Sequence, residues 1–319
     1  MADLIAWCTH GSGPCCGEGL RKVQKNSPVR STLPGTCVFK YPTPAPSMSS
    51  PHVRVSIAQM CSTHDIDANL RKIERFASLA SRKASRMLFL PENACFMPIP
   101  GTKMSLEMAE SLDDDAGKVI PRLRAICKQE RLWLSVGGFQ EKASKDKIYN
   151  THIIFDDTGR IVSSYRKIHL FDFPDGGLRE STLTVAGNTA EVCQTPFGLN
   201  LGLSVCFDIR FPHLYGKLRE KGANVMLAPA AFHCLTGRAH WGTLLRARAI
   251  ETQAWVIAAA QAGQHNDKRK SYGRGMIVDP WGSVVCCLEE EEEVHTVELD
   301  LGRVEQVRKR LPIVSADFS

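Results

Sequence analysis

Short runs of apolar residues recur along most of the chain, and stretches in which apolar residues have helical spacing separate them. The short runs either alternate with polar residues or are wholly apolar, which is typical of strands. They predict strands at 53–59, 87–90, 132–139, 148–156, 161–166, 190–193, 199–206, 225–228, 255–260, 275–279 and 283–288. The stretches with apolar residues three and four apart predict helices at 69–85, 117–130, 214–221 and 241–253.

Strands and helices alternate in two halves of the chain, and antiparallel hairpins join the halves. The segments 157–159 and 280–282 each stand between two strand-like runs and contain the glycine typical of hairpin turns. This order favours an α/β protein with two sheets flanked by helices. We find no linker after residue 50 and therefore expect one domain over 51–319, in which the acidic run 289–293 is a solvated loop.

Residues 1–50 differ from the rest, because six prolines and many serines and glycines interrupt any regular period. We expect a flexible N-terminal extension. Its five basic and two acidic residues make it a candidate mitochondrial presequence, although no basic amphipathic helix is evident. We expect a cytoplasmic protein, with a mitochondrial form if the extension acts as a presequence. Initiation at Met48 would give a form without the extension.

Composition narrows the classes of function. The chain is 43% apolar and 23% charged, which is typical of a globular protein with a sizeable core. No basic stripe with interleaved aromatic residues is present, so nucleic-acid binding is not favoured. The longest apolar run, 254–260, is too short to span a bilayer. We therefore expect neither a nucleic-acid partner nor a membrane partner.

The twelve cysteines include no C-x-x-C pair, and several lie within apolar runs. This arrangement is unlike a zinc framework or a disulfide-stapled secreted domain. His233 and His240 are seven residues apart, which is not a metal-ligand spacing. We expect a reducing compartment and neither a metal nor another cofactor.

Three predicted strands end within two residues of a residue that can take part in catalysis: Glu92, Lys167 and Cys206. A thiol with an ordinary pKa near ~8.5 is mostly protonated at pH 7 and needs a base or a cation. Glu92 can take the thiol proton and pass it to a departing amine. Lys167 and the backbone N–H of Phe207 can stabilise an oxyanion. These are the parts of a cysteine amidohydrolase that uses no histidine.

Each of these residues also has a structural interpretation. A cysteine is commonly a buried apolar residue, and a lysine is commonly a solvated surface residue. A glutamate after Pro91 can cap the segment that follows it. Spacing alone does not decide between the two interpretations.

The segments around these residues resemble the three signature segments of the nitrilase, or carbon–nitrogen hydrolase, family. They are LFLPE at 88–92, YRKIHLFD at 165–172 and CFDIRFP at 206–212, within a stretch of resemblance from about 53 to 311. The resemblance implies a four-layer α-β-β-α sandwich that forms a homodimer or a higher homo-oligomer. It also implies Glu92 as general base, Lys167 as oxyanion stabiliser and Cys206 as the nucleophile that forms a thioester with a small-molecule amide.

The same resemblance implies further site residues. Glu180 is similar to a second glutamate of the family, which orders the lysine and positions substrate, although the spacer before it differs. Phe207, Arg210 and Phe232 are implied as supporting or substrate-positioning residues. Further candidates to bind a substrate carboxylate are Arg238, Arg246 and Arg248. Arg246 and Arg248 lie two apart on a predicted helix, so they cannot both face one pocket.

Segments 236–241, 244–253 and 271–282 are similar to those of family members that hydrolyse deaminated glutathione. This implies release of α-ketoglutarate and cysteinylglycine. His213 and Arg238 replace a glutamate and a proline common in the family, and the tail 315–319 is short. These departures concern the substrate loop and the subunit contacts, and none of them falls on Glu92, Lys167 or Cys206. Two alternatives stay open: an ω-amidase acting on α-ketoglutaramate or related small amides, and a non-catalytic scaffold with the same fold.

Overall fold

The computed structural model describes residues 52–113, 115–173 and 178–313, all within one compact unit. The predictions for residues 1–50, the start at Met48 and the tail 315–319 lie outside this part. The helices are α1 (Ile66–Arg82), α2 (Met104–Glu107), α3 (Val119–Glu130), α4 (Pro212–Glu220), α5 (Cys234–Thr252) and α6 (Gly302–Arg310). Short 3-10 helices cover Glu180–Thr182 and Cys206–Arg210.

The strands of the described residues run in chain order from β1 to β16. They are β1 (His52–Met60), β2 (Met87–Leu90), β3 (Trp133–Lys142), β4 (Ile148–Phe155), β5 (Ile161–Arg166), β6 (Asp172–Phe173), β7 (Leu178–Arg179), β8 (Val192–Gln194), β9 (Asn200–Gly202), β10 (Val225–Leu227), β11 (Trp255–Ala258), β12 (Ala260–Asn266), β13 (Arg269–Tyr272), β14 (Met276–Val278), β15 (Val284–Cys287) and β16 (Glu293–Asp300). The predicted strands are present, most with bounds shifted by a few residues.

These strands form two large sheets and a ribbon of β6 and β7. The eight-stranded sheet has the order β13-β12-β1-β2-β3-β4-β5, with β16 also paired along β1, and the six-stranded sheet has the order β15-β14-β11-β10-β9-β8. The centre of each sheet is parallel, through β1, β2 and β3 and through β9, β10 and β11. Antiparallel strands such as β4 and β14 complete the sheets.

Alternating residues of β1 show how the layers are stacked. Val55 and Ile57 belong to a core shared with β9, β10 and β11 of the other sheet, whereas Ala58 and Met60 belong to a core shared with α1 and α3. β2 is apolar throughout because both of its faces are covered. α4 and α5 pack on the six-stranded sheet. The fold is therefore a four-layer α-β-β-α sandwich, which confirms the predicted fold class.

Two helices begin earlier than predicted, because their N-caps are polar residues outside the apolar repeat. α1 begins at Ile66, since the Asp65 side chain accepts a hydrogen bond from Ala68 N–H at 3.0 Å. α5 begins at Cys234, where the His233 ring accepts from Leu235 N–H at 3.3 Å. Within the described ranges, no helix is both long and apolar enough to cross a membrane.

The C-terminal part contains a strand and a helix that the apolar pattern did not predict. β16 pairs with β1 over eight residue pairs, from His52 with Asp300 to Gln59 with Glu293. The prediction that 289–293 is a solvated loop is therefore wrong for its last two residues, Glu292 and Glu293. Glu293 opens β16, and Glu292 accepts from Lys72 Nζ and Cys61 N–H, both at 2.8 Å.

The strand that leads to Cys206 ends earlier than predicted, at Gly202. Val205 N–H donates to the Asp208 carboxylate at 2.9 Å instead of to a neighbouring strand. Cys206 N–H donates to the Pro229 carbonyl at 2.9 Å, and a 3-10 helix begins at this residue. The chain therefore changes direction at Cys206, with its side chain at the turn.

Candidate active site

Glu92 follows β2 and is bound through both carboxylate oxygens. Its Oε1 accepts from Asn150 Nδ2 at 3.0 Å and from Lys167 Nζ at 3.4 Å, and its Oε2 accepts from Ala231 N–H at 3.0 Å. Burial raises the pKa of Glu92, but the positive charge of Lys167, and then that of Arg269, outweighs burial and holds this pKa below its usual value. Glu92 is therefore ionised at neutral pH and can accept a proton.

A bulge in β3 makes room for Glu92. The pairing of β3 with β4 shifts register between Val136 and Phe139, and Gly138 within this segment has a φ of +65°. A Cβ atom at Gly138 would lie 2.5 Å from Glu92 Cγ. Glycine is therefore required here both by the backbone conformation and by the close approach of the glutamate.

Lys167 follows β5 directly and supplies the positive charge between two glutamates. Its side chain is 2% exposed, and its Nζ lies 2.8 Å from Glu180 Oε2 and 3.4 Å from Glu92 Oε1. Burial lowers the pKa of Lys167, but Glu180 and then Glu92 outweigh burial and raise this pKa above its usual value. Glu180 is itself fixed by the Phe171 N–H, which donates to its Oε2 at 2.8 Å. Lys167 is therefore protonated and rigidly held.

Cys206 is partly exposed and has a φ of +48°. A positive φ is uncommon for a residue with a side chain, and such residues are concentrated at functional sites. The thiol interacts with the Glu92 carboxylate; burial, and then the charge of Glu92, raises the pKa of the thiol. The thiol is therefore neutral at pH 7 and needs a base to attack. The adjacent Phe207 N–H makes no hydrogen bond with any described residue and is available to an oxyanion.

Asn150 of β4 lies between the two glutamates, and the pattern of the sequence does not mark it as a site residue. Its Nδ2 group donates to Glu92 Oε1 at 3.0 Å and to Glu180 Oε1 at 2.9 Å. The sequence contains only a weak signal for it, a polar residue in a mostly apolar strand, 58 positions from Glu92. Its role depends on strand pairing, which the local pattern does not reveal.

Asp208 connects the lysine segment to the cysteine turn, and it too was missed. One carboxylate oxygen accepts from Tyr165 Oη at 2.8 Å and from Val205 N–H at 2.9 Å. The other accepts from the N–H and the Nδ1 of His169, at 3.0 and 2.7 Å. Asp208 is fully buried, and these four bonds satisfy its carboxylate. Its place two residues after Cys206 was visible in the sequence, but its partners were not.

Arg210 is partly buried beside the site and has no carboxylate partner among the described residues. Its guanidinium lies 5.2 Å from the ring of Phe232 and 5.7 Å from the ring of Phe207. Its Nη1 is 3.2 Å from His240 Nδ1. An arginine held by aromatic rings, without an acidic partner, can receive an anionic group of a ligand.

The other candidate arginines do not form a second cluster here. Arg246 Nε donates to Gly282 O and Arg248 Nε donates to Ile209 O, both at 2.9 Å. Both guanidinium groups therefore make structural hydrogen bonds with backbone carbonyls. Arg238 is exposed on α5. His213 is exposed on α4, with its ring 5.2 Å from that of His169, next to the aromatic cluster around Phe211.

The described cysteines form no disulfide, and all eight are free. Burial raises the pKa of Cys95 and that of Cys127 to about 12, so both thiols are protonated at neutral pH. In the part of the chain that the structure describes, no group of three or more His, Cys, Asp or Glu side chains is placed to hold a metal ion.

The sequence of the whole chain was compared with protein-family models and with known proteins. The model of the carbon–nitrogen hydrolase family matches residues 54–309. The chain belongs to the carbon–nitrogen hydrolase family. Among its curated relatives, the deaminated glutathione amidase of Dictyostelium discoideum is 43% identical over 82% of this chain and 92% of its own length. The deaminated glutathione amidase of Homo sapiens is 39% identical over 81% of this chain and 80% of its own.

Solved structures agree with this assignment. The NitFhit protein of C. elegans is 38% identical with a TM-score of 0.77, over 83% of this hydrolase and 65% of that longer chain. Nit3 of Saccharomyces cerevisiae, a member of the nitrilase superfamily, is 27% identical with a TM-score of 0.74, over 84% of this hydrolase and 97% of its own chain. The family resemblance seen in the three sequence segments is thereby confirmed.

The structure of this hydrolase brings several of the predicted site residues together. Glu92, Lys167 and Glu180 form one hydrogen-bonded group, and the Cys206 thiol interacts with Glu92. Arg210 lies near the cysteine turn, against the rings of Phe207 and Phe232. The catalytic roles of these residues stay predictions.

Proposed function

We propose that this carbon–nitrogen hydrolase is an amidase that cleaves deaminated glutathione into α-ketoglutarate and cysteinylglycine. Support for the substrate comes from the deaminated glutathione amidases that are 39% to 43% identical to it over 81% to 82% of the chain. Support for the reaction comes from one arrangement in particular: a buried lysine lies between two glutamates, and one of these interacts with a partly exposed cysteine.

In the acylation step Cys206 Sγ attacks the amide carbonyl carbon, and the thiol proton moves to Glu92. Lys167 and the Phe207 N–H stabilise the oxyanion of the tetrahedral intermediate. The carbon–nitrogen bond then breaks as Glu92 returns the proton to the departing nitrogen. Cysteinylglycine leaves with a neutral amine, and the α-ketoglutaryl group remains on Cys206 as a thioester.

In the deacylation step Glu92 takes a proton from water, and the resulting hydroxide oxygen attacks the thioester carbon. The carbon–sulfur bond breaks, and the sulfur takes the proton back from Glu92. α-Ketoglutarate is released and the thiol is regenerated. The pKa of Glu92 is lowered and that of the thiol is raised, so the resting pair is carboxylate and thiol, and the thiol proton has to move to Glu92 as the sulfur attacks.

Arg210 is proposed to bind a carboxylate of the substrate, so Arg210→Met is expected to raise KM for deaminated glutathione about 10- to 100-fold, because hydrogen bonds to charged groups contribute about 1.5–3 kcal/mol. A small change in kcat is expected, because the contact is made in both ground and transition states. Lys217→Met on α4 removes a cation that is exposed and lies outside the site, and it is the control, with KM unchanged. A normal KM in Arg210→Met would refute this contact.

An ω-amidase remains the alternative within the same reaction class. α-Ketoglutaramate has the same acyl part as deaminated glutathione but lacks the cysteinylglycine leaving group. We expect kcat/KM to be larger on deaminated glutathione than on α-ketoglutaramate. A larger kcat/KM on α-ketoglutaramate, measured with the same enzyme preparation, would favour the ω-amidase.

A non-catalytic scaffold is the alternative of another class. The ionised Glu92 beside Cys206 favours a reactive site over a scaffold. Alkylation of Cys206 by iodoacetamide near neutral pH distinguishes an amidase, in which we expect Cys206 to react, from a scaffold. Failure of Cys206 to react, together with no turnover of either amide, would favour the scaffold.

We also propose that the hydrolase is a homodimer in which Ile250, Val284 and Val285 contact the partner. Their apolar side chains are 45%, 45% and 47% exposed on α5 and β15, and burial of exposed apolar surface favours association. Light scattering should give twice the mass of the chain, and Ile250→Asp with Val284→Asp should give the single mass. Val162→Asp, at an exposed valine of β5, is the control. A monomeric wild type would refute the dimer.

A further inference from the structure

The side chain of Asn150 links the two glutamates of the site. Its Nδ2 group donates to Glu92 Oε1 at 3.0 Å and to Glu180 Oε1 at 2.9 Å. A primary amide has two N–H hydrogens, so each glutamate receives one of them. The backbone carbonyl of Asn150 accepts from Lys167 N–H at 2.9 Å. Asn150 therefore contacts all three charged residues of the site.

The amide oxygen of Asn150 is buried and has no hydrogen-bond partner among the described residues. Nearly all buried polar atoms in proteins have a partner, and an exception calls for an explanation. The reverse orientation of the amide would place this oxygen against the two carboxylates of Glu92 and Glu180. Their negative charges therefore determine the direction of the amide. The amide therefore donates to both carboxylates, while its own oxygen has no partner among the described residues.

The bond from Asn150 determines which oxygen of Glu92 can act as a base. A carboxylate oxygen has two lone pairs, and Oε1 already accepts from Asn150 and Lys167. Oε2 has a single donor among the described residues, Ala231 N–H at 3.0 Å. The same N–H interacts with the sulfur of Cys206. Oε2 is therefore the oxygen that has a free acceptor position next to the thiol.

We propose that Asn150 is a positioning residue of the amidase: by binding Oε1 of Glu92 and of Glu180, it turns Glu92 Oε2 towards the Cys206 thiol. In acylation the thiol proton moves to Oε2 while the carbon–sulfur bond forms. Asn150 acts through Glu92 and does not touch the substrate. This inference rests on the proposed role of Glu92 as the base.

The test replaces Asn150 by aspartate, which keeps the shape, removes both donors and adds a carboxylate beside Glu92. We expect kcat on deaminated glutathione to fall about 100-fold with little change in KM, because a small displacement of a catalytic group costs about this much. The acidic limb of the pH profile of kcat/KM is expected to move to higher pH, since a neighbouring like charge raises the pKa of Glu92.

Thr151→Val is the matched control, because the buried Thr151 hydroxyl lies on the same strand and donates at 2.6 Å to Glu141, outside the site. Its kinetics should match those of the wild type. Asn150→Ser, which keeps one donor and adds no charge, replaces Asn150→Asp if the latter does not fold. Wild-type kcat and an unshifted pH profile in a folded Asn150 variant would overturn the proposal, as would an equal loss in Thr151→Val.

Alkylation of Cys206 by iodoacetamide, followed by peptide mass spectrometry, reports the same positioning without an amide substrate. We expect it to be about tenfold slower at pH 7 in the Asn150 variants, because the base no longer assists the thiol, and unchanged in Thr151→Val. Equal rates in all variants would overturn the role of Asn150. If the wild type reacts with iodoacetamide but does not hydrolyse deaminated glutathione, the proposed substrate is wrong, and the alkylation rates still decide the role of Asn150.

Discussion

Replacing Glu92 by glutamine is expected to lower kcat on deaminated glutathione by about 10²- to 10⁴-fold. Glutamine keeps the shape of the side chain and can still accept from Ala231 N–H, but it cannot take a proton from Cys206. It also cannot protonate the leaving amine or activate water, so both steps of the cycle are affected. The loss is expected in kcat rather than in KM, because the proton moves only in the transition state. Steady-state kinetics on the folded variant measures it.

Glu141→Gln provides a matched control for this variant. Glu141 is also a buried glutamate, 5% exposed, but it pairs with Arg166 and Thr151 outside the site. Its replacement is expected to leave kcat nearly unchanged. An active Glu92→Gln enzyme, or an equal loss of kcat in Glu141→Gln, would contradict the assignment of the base.

The pH dependence of the wild type follows from the same residue. The pKa of Glu92 is below its usual value, because Lys167 and Arg269 outweigh the effect of burial. Glu92 can act as a base only while it is ionised, so activity is lost as pH falls through its pKa. The acidic limb of kcat/KM is therefore expected below pH 4.5, the ordinary value for this group, and it should be absent from the residual activity of Glu92→Gln.

Replacing Lys167 by methionine is expected to lower kcat about 10²- to 10³-fold and to destabilise the fold by about 3–5 kcal/mol at pH 7. Lys167 lies 2.8 Å from Glu180 and 3.4 Å from Glu92, with 2% of its side chain exposed. Its loss leaves the buried Glu92 and the partly buried Glu180 with no ammonium between them. It also removes a donor that the proposed oxyanion needs. Kinetics and urea unfolding measure the two effects separately.

The destabilisation of Lys167→Met is expected to depend on pH. Without the ammonium, burial and mutual repulsion raise the pKa of Glu92 above its unfolded value, so the variant is most stable where this carboxyl is protonated. Its stability is then lost as pH rises through the raised folded pKa. The difference in the free energy of unfolding from wild type should therefore be small near about pH 4 and larger at pH 7. Lys142→Met, at an exposed lysine of β3, is the control; a difference independent of pH in Lys167→Met would contradict this explanation.

The layers of the fold could be predicted because they depend on local patterns. β1 shows the alternation of apolar and polar residues expected of a strand, β2 shows the wholly apolar run of a strand covered on both faces, and α3 starts within two residues of its predicted start. The start of α5 was misplaced by seven residues, because its first turns lack an apolar repeat and the cap is His233. β16 was missed because its alternation is weak, and its pairing partner β1 is more than two hundred residues away in the sequence.

Only those site residues that follow the end of a predicted strand could be predicted from the sequence. Glu92, Lys167 and Cys206 were visible as a carboxylate, an amine and a thiol, and the family resemblance gave them roles. Asn150 was not visible, because its function comes from two glutamates that reach it from other parts of the chain. The Ala231 N–H was not visible either, because a backbone donor leaves no trace in residue type. Such contacts require the register of strands, which apolar patterns do not determine.

The most direct test of the central claim is peptide mass spectrometry of a reaction with deaminated glutathione that is quenched in acid during turnover. It should be run in parallel on the wild type and on Cys206→Ala. We predict an α-ketoglutaryl group on the wild-type peptide that contains Cys206, and neither adduct nor turnover in a folded Cys206→Ala protein. Turnover by Cys206→Ala at the wild-type rate, or an acyl group on another cysteine instead, would contradict the claim.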